Sequence, residues 1–440
     1  MKRITTYLSV LVLLAVGVFV AQQYVGTSSA DEPLVEIYQP DWLPEMEEYE
    51  EEDIKMSQEF SRLAIANQNT GTIDPKDVIQ ARREVMTMMN RQAGARSIGL
   101  DWRFMGPDNI GGRSRDILFD RNNPSRALAG GVTGGLWISD DAGLSWRVYD
   151  GNDTLAGIGV VSLVQCANGD IYAGTGENPN NSNNTPSGTA NGETGKIGEG
   201  IWKSTDGGNT FTQLAATIPS VDNSNNAEFA FIPGLAAHPT DGQTVVAGTN
   251  SGAVITRDGG QTWTNLANNS ALTGSFIQDV EVAEDGTVHL SANGRYYKGN
   301  IDDPNSFQLE PGLFDNKTFR RLQIGLAPSD NNYVYVIGCN NPGQTTGVYR
   351  SKDGGETWSA IAPISLPSDG FNPTGEQGWF DMEIAVHPSD KNRAYVAGQL
   401  AMWAYQYEES TSKNLWWPIS TWVFSANPQF FTQYVHADQH

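Results

Sequence analysis

From Trp102 onward the apolar residues come in short runs divided by glycine, asparagine and aspartate, the texture of many brief strands. Part of this pattern fits one ruler. Ile117, Ile324 and Ile384 each stand 14 residues before a glycine (Gly131, Gly338, Gly398). Each interval holds a proline turn and then a second apolar run ending in AGG, VIG or VAG. The intervals predict the first two strands of three equivalent β units. Extended along the sequence, the pattern predicts units starting near residues 113, 158, 230, 276, 319 and 379, and a seventh from Tyr434 that His440 cuts short. Upstream the pattern changes. Asp74-Pro75-Lys76-Asp77 followed by VIQARREVMTMMNRQ predicts a capped helix within residues 60–100.

An eight-residue phrase recurs four times inside the strand-rich region: SDDAGLSW (139–146), STDGGNTF (204–211), TRDGGQTW (256–263) and SKDGGETW (351–358). The shared form is [ST]-x-D-x-G-x-[ST]-[WF]. Asp141, Asp206, Asp258 and Asp353 can accept hydrogen bonds from backbone N–H groups just downstream, the glycine supplies a left-handed position, and the closing aromatic can anchor the turn in a core. These aspartates are read as turn staples. The aspartates are spaced by 65, 52 and 95 residues. The last step is about two units long, so a unit without the phrase is expected between, at FIQDVEVAEDGTVHLSANGRYYKGNI (276–301). The polar stretch Glu177–Gly198 explains the 65-residue step as a surface insertion.

The phrase resembles the Asp-box, or BNR, repeat of sialidases, some glycoside hydrolases and the sortilin ectodomain, all β-propellers. WRFMGPDNIGGR (102–113), GGVTGGLWIS (130–139), GTGEN (174–178), GEGIWKSTDGG (198–208), QGWFDMEIAVHP (377–388) and VHADQH (435–440) are similar to a group of large secreted bacterial proteins with sortilin-like BNR propellers. The resemblance implies an all-β propeller of about seven four-stranded blades over residues 101–440, with the last blade incomplete. It does not carry the enzymes' chemistry over intact. The sialidase Arg-Ile-Pro motif is absent, and Val132 stands where the two-propeller xyloglucanases place a catalytic Asp in Asp-Val-Gly-Gly-Ala-Tyr.

Charge and address narrow the partners. The protein has 440 residues and a net charge of −23, which argues against nucleic acid as a partner, since phosphate binding needs a basic face. Lys2-Arg3 and the apolar run from Tyr7 to Ala21 read as a signal peptide or membrane anchor in residues 1–30, so the body is expected to be secreted or at the cell surface, touching membrane only through that segment. Residues 31–59 read as an acidic, solvated spacer. Cys166 and Cys339 fall in different units and are expected as buried thiols without a disulfide.

Candidate chemistry lies on the inner strands, where propellers place their channel mouth. One residue before the anchoring isoleucine stand Asp116, Gln323 and Glu383; three before it stand Ser114, Arg321 and Asp381. Asp279 and Glu281 occupy the same part of the phrase-free unit. These residues predict a polar ring, either a ligand site or the lining of a water-filled channel. Asp279, Glu281, Asp381 and Glu383 are the candidate carboxyl groups for glycoside hydrolysis, which needs two. Arg113, Asp116, Glu177, Arg321, Trp379 and His436 are candidate ligand contacts. His436, Asp438 and His440 alternate on one strand face and carry ligand types for a divalent metal, the one cofactor considered. The leading functional expectation is binding of an extracellular glycan or protein at the channel mouth; a glycoside hydrolase and a structural module of a larger surface protein are the alternatives.

Overall fold

The computed structural model describes residues 66–71, scattered positions between 77 and 88, and residues 113–421 except 133, 150–154, 156–158, 178–196, 220–227, 311–318 and 363–370. Six four-stranded antiparallel sheets follow one another, each meandering from an inner strand outward. The inner strands are Ser114–Phe119, Val160–Gln165, Gly234–Ala237, Ile277–Val282, Arg321–Leu326 and Met382–Val386, opening blades 1 to 6 within a few residues of the expected starts. Blade 4 is the unit without the phrase, as its spacing implied. The fold is thus an all-β propeller, with six blades among the described residues rather than about seven. The partial blade from Tyr434, the signal segment and the acidic spacer lie outside the described residues. So do His436, Asp438 and His440, most of the insertion after Glu177, and all of residues 102–112. Helical backbone is seen at Asp77 and at described positions from Gln80 to Met88, and no element is established over residues 60–100.

The repeated phrase forms the turn between the third and fourth strands of blades 1, 2, 3 and 5. In blade 5 the Ser351 hydroxyl donates to Asp353 Oδ1 at 2.7 Å and accepts from Gly355 N at 2.8 Å. Asp353 in turn accepts from Thr357 N at 2.9 Å and from the Thr357 hydroxyl. Asp141, Asp206 and Asp258 repeat the arrangement. The turn needs two consecutive left-handed residues, one more than the sequence pattern implied. Gly354 and Gly355 have φ of 69° and 91°, and blade 1 puts Ala142 at φ 60° in the first of these places.

Each staple secures a very short edge. The outer strands of the four phrase-bearing blades, such as Ser359–Ala360, have two residues each. Blades 4 and 6 lack the phrase, and their outer strands run seven and nine residues, Asp303–Leu309 and Lys413–Thr421. A two-residue strand makes too few ladder bonds to hold an edge, so the side-chain network takes over that task.

Apolar side chains alternate to both faces of each sheet and fill the seams between neighbouring blades. The phrase aromatics pack backward: Phe211 of blade 2 meets Tyr149 of blade 1 edge-on at 5.6 Å, and Trp358 of blade 5 meets Tyr296 of blade 4 at 5.3 Å. Gly130 leaves room for the next blade, since a Cβ there would sit 2.5 Å from the Val160 carbonyl oxygen. Cys166 and Cys339 are buried free thiols in blades 2 and 5, as expected, and burial pushes both thiols above their ordinary value.

Candidate ligand site in the central channel

The residue just before the anchoring aliphatic of each inner strand faces the channel: Asp116, Ser162, Gly234, Asp279, Gln323 and Glu383 in blades 1 to 6. Together with Arg115 and Glu281 they line a cavity of about 890 Å³. Its acids come from part of the ring: blades 1, 4 and 6 contribute Asp116, Asp279, Glu281 and Glu383, and the inner strands of blades 2 and 3 contribute none. Aliphatic residues from all six blades, among them Ile117, Val164, Leu235, Val282 and Leu326, complete the lining together with Arg115 and Arg121. No aromatic ring lines it.

Two of the acids are also fasteners between blades. Asp116 Oδ2 accepts from Leu163 N of blade 2 at 2.6 Å. Asp279 Oδ2 accepts from Ile324 N of blade 5 at 2.6 Å, while its Oδ1 takes its neighbour Val280 N. Glu383 Oε2 accepts from Gln323 Nε2 at 3.1 Å. Glu281 makes no hydrogen bond among the described residues, which leaves its carboxyl group for a ligand.

Burial and mutual repulsion set the protonation of this set. Desolvation, reinforced by Glu383 and opposed by the backbone N–H bonds, raises Asp116 and Asp279 to about 7. Desolvation and the charges of Asp279, Glu383 and Asp116 push Glu281 well above the usual carboxylate range. Glu383 is raised by burial as well, with Arg321 pulling the other way. Groups this close lose their protons as a coupled set. Near neutral pH the site holds both acids and carboxylates.

The arginines sit at one side. Arg321 Nη1 donates to the Phe380 carbonyl at 2.6 Å and its Nη2 to Gln323 Oε1 at 3.1 Å. Arg115 donates to the same carbonyl at 3.2 Å, and its Nε lies 3.4 Å from Glu177. Burial and the nearby Arg321 lower Arg115 to about 10. Arg113 stacks on the Phe380 ring at 4.5 Å.

Most of the expected ring therefore converges: Asp116, Asp279, Glu281, Gln323 and Glu383 share one cavity, with Arg321 bonded to Gln323 at its side. Asp381 does not line it. It lies ahead of the strand that opens blade 6, in a turn closed by its own N–H to Gln377 O, and is fully buried. The strict alternation assumed for the inner strands also fails in blades 1, 2 and 4. A bulge shifts the register between Ser114 and Asp116, Val160 and Ser162, and Ile277 and Asp279. In blade 1 the bulge brings Ser114, Arg115 and Asp116 to the cavity together, a placement no period-two reading could give.

Trp379, the aromatic candidate, is taken up elsewhere: Arg320 stacks on its ring at 5.1 Å, and it does not line the cavity. A second cleft of about 960 Å³ lies on the rim between blades 4 and 5, around Lys298, Asp353 and Glu356. It is slightly larger than the channel cavity, but Lys298 pairs there with Glu356 and Asp353 is a turn staple. The channel is the better candidate because its acids face open volume.

Comparisons agree with this architecture. The BNR/Asp-box repeat family matches residues 349–360, the blade 5 turn and its flanks. An ancestral GH74 enzyme superposes with a TM-score of 0.50 at 17% identity over 71% of this protein, which spans 39% of that structure's length. The GH74 xyloglucanase of Xanthomonas campestris gives 0.47 at 16% identity, covering 70% of this protein and 54% of its own length. The extracellular domain of a one component system from B. thetaiotaomicron gives 0.48 at 12% identity, covering 74% and 35%. No curated protein matches the sequence. The ancestral GH74 likeness, at a TM-score of 0.50 and 17% identity, speaks for the fold alone. The protein is a β-propeller built on BNR/Asp-box repeats.

Proposed function

We propose that this propeller binds an extracellular protein ligand by taking a basic side chain into its channel mouth. The observation that carries the reading is the lining: a cluster of carboxyl groups from blades 1, 4 and 6, with Glu281 unbonded among the described residues, set beside aliphatic side chains. A lysine or arginine has that form, an apolar stem under a cationic head. A glycan fits less well, because sugar faces are gripped by exposed aromatic rings and this cavity has none. The extracellular setting rests on the reading of residues 1–30 as a signal peptide or membrane anchor; among the described residues no helix is long and apolar enough to cross a membrane.

Glycoside hydrolysis is a second reading, favoured by one observation. Glu281 and Glu383 share the cavity, and both hold protons more tightly than free carboxyls, as a general acid must. Against it, both oxygens of Asp279 already accept backbone N–H bonds, and Val132, at the xyloglucanase acid position, is buried and apolar.

The test uses calorimetry with tetralysine and tetra-arginine peptides, a glycan array and a polysaccharide hydrolysis screen. Peptide binding that the Glu281→Gln variant weakens and the rim variant Asp353→Ala leaves intact supports the proposal. Glycan capture without peptide binding overturns it. Polysaccharide cleavage lost in Glu281→Gln or Glu383→Gln replaces it with the hydrolase.

A further inference from the structure

The channel cavity follows the inner strands from Ser114 and Asp116, near their starts, to the turns that leave them. The shared register divides it into three levels. The first holds Asp116, Asp279, Gln323 and Glu383. Two residues on, Glu281 shares its level with Val164, Ala236 and Ala385. Five residues on from the first level, Arg121, Pro239, Glu284, Pro328 and Pro388 form a collar. At about 3.3 Å per residue, the collar stands about 10 Å from Glu281 and about 17 Å from the first level. A lysine side chain spans about 6 Å, so one projecting from a partner's surface at the collar stops short of both.

The two ends of the channel differ in charge. The inner strands start at one mouth and turn into the second strands at the other. At the start mouth Arg113 and Arg115 stack on the Phe380 ring at 4.5 and 4.8 Å, and Arg321 shares the Phe380 carbonyl with Arg115. Glu177 and the buried Asp381 are the acids that offset Arg115 there. At the turn mouth every blade supplies an acid: Asp120, Asp170, Asp241, Asp285, Asp330 and Asp390, with Glu284 next to Asp285. Arg121, Arg126 and Lys391 are the cations in these turns, so the turn mouth holds seven acids against three cations. A lateral approach, past Ile117 of blade 1 and Ala385 of blade 6, is aliphatic and gives a cation no counter-charge.

We infer that the ligand of this channel is the free amino terminus of a peptide chain, threaded in from the turn mouth. The inference rests on the reading of the channel as a site for a basic group. The turn acids draw a cationic chain to that end, whereas the start mouth sets guanidinium groups in its way. Because a side chain alone stops short of Glu281, backbone must pass the collar. Three of the collar residues are prolines, which wall the passage without N–H donors to compete for the chain's carbonyls. Spread over about 17 Å, a cavity of about 890 Å³ leaves a section of about 50 Å², that of one extended strand and too little for the two limbs of a loop. A single chain enters by an end, and charge selects which. An α-ammonium group adds a second cation for Glu281 and the first-level acids, whereas an α-carboxylate would enter among four carboxyl groups.

Charge-matched peptides test this by titration calorimetry on the full-length protein. Tetralysine amide with a free amino terminus and N-acetylated pentalysine amide carry the same net charge. The free-amine peptide should bind at least about tenfold more tightly. Equal affinity, or tighter binding of the acetylated peptide, overturns the inference and leaves the channel reading standing. Binding by neither peptide removes that reading and the inference with it. Photocrosslinking then fixes the direction of entry. A tetralysine amide with benzophenone at its carboxyl end carries the probe at the collar when the amino end leads from the turn mouth. Crosslinks to Pro239, Glu284, Pro328 or Pro388 are the expected result. Crosslinks to Arg113, Arg321 or Phe380 mean entry from the start mouth, and crosslinks to Ile117 or Ala385 mean entry from the side. Either of these, or a bound probe that attaches nowhere, overturns the inference.

Discussion

The rim and the channel of this propeller use the same residue type to opposite ends. On the rim, Asp141 and Asp258 sit in water with hydroxyl and N–H donors directed at them, and hydrogen bonds from Ser145 and Thr262 hold them at about 2. In the channel, Asp116 and Asp279 accept N–H bonds too, yet burial and neighbouring carboxylates lift them to about 7. The bonds are similar; the solvent and the company differ. A repeated acid, conspicuous in sequence, turns out to be a fastening. The acids placed to meet a ligand belong to no repeated phrase.

The largest expected effect tests the channel side. The double variant Glu281→Gln/Glu383→Gln should weaken tetralysine binding by about 100-fold. Titration calorimetry measures it, and retention of full affinity would remove these acids from the site. On the rim, Asp353→Ala deletes the acceptor of four bonds, two to Thr357, one to Ser351 and one to backbone beside them, and should cost about 2 kcal/mol of unfolding free energy with peptide affinity unchanged. Denaturant titration reads the loss; a neutral result would mean the turn is held by its glycines alone.

The pH response should split the two regions. The channel acids have folded values above their unfolded ones, so their favourable contribution is complete below about pH 4 and is lost as pH rises toward 7. The rim acids have depressed values, so their contribution is present above about pH 4 and is lost as pH falls through 2. Burial raises Glu281 as well, so Glu281→Gln should raise the melting temperature more at alkaline than at acidic pH. Equal effects at alkaline and acidic pH would mean that repulsion does not govern the channel. The smallest effect concerns backbone. Ala142→Gly relieves a left-handed alanine and should stabilise blade 1 by about 0.5–1 kcal/mol, seen as a higher denaturation midpoint.

Where sequence reading succeeded, a few neighbouring residues sufficed to specify a local event. The phrase encodes a complete turn in eight residues, and the interval from Ile324 to Gly338 encodes a hairpin, so blade boundaries were legible. The ring residues followed from those boundaries, since a shared place in a repeat is a shared place around the axis. What escaped depends on neighbours distant in sequence. The bulge before Asp116 is set by the pairing of blade 1's own second strand, so the turn of Arg115 into the cavity is not written in SRD. Asp381 carries the right type at the right interval, but the tight turn from Thr374 ends there and buries it. The bond from Asp279 to Ile324 spans 45 residues, and no local pattern announces it.

The backward reach of the phrase aromatics has a consequence for protein engineering. Because Phe211 and Trp358 close the seam behind them, a sheet and the cluster it needs for stability are offset along the sequence by one blade. A graft cut at sheet boundaries would carry two half-seams and complete neither. A cut made just after the turn phrase would move the clasp together with the surface it grips, Tyr149 with Phe211 and Tyr296 with Trp358, and such modules are the ones to shuffle, permute or multiply when building new rings from this protein.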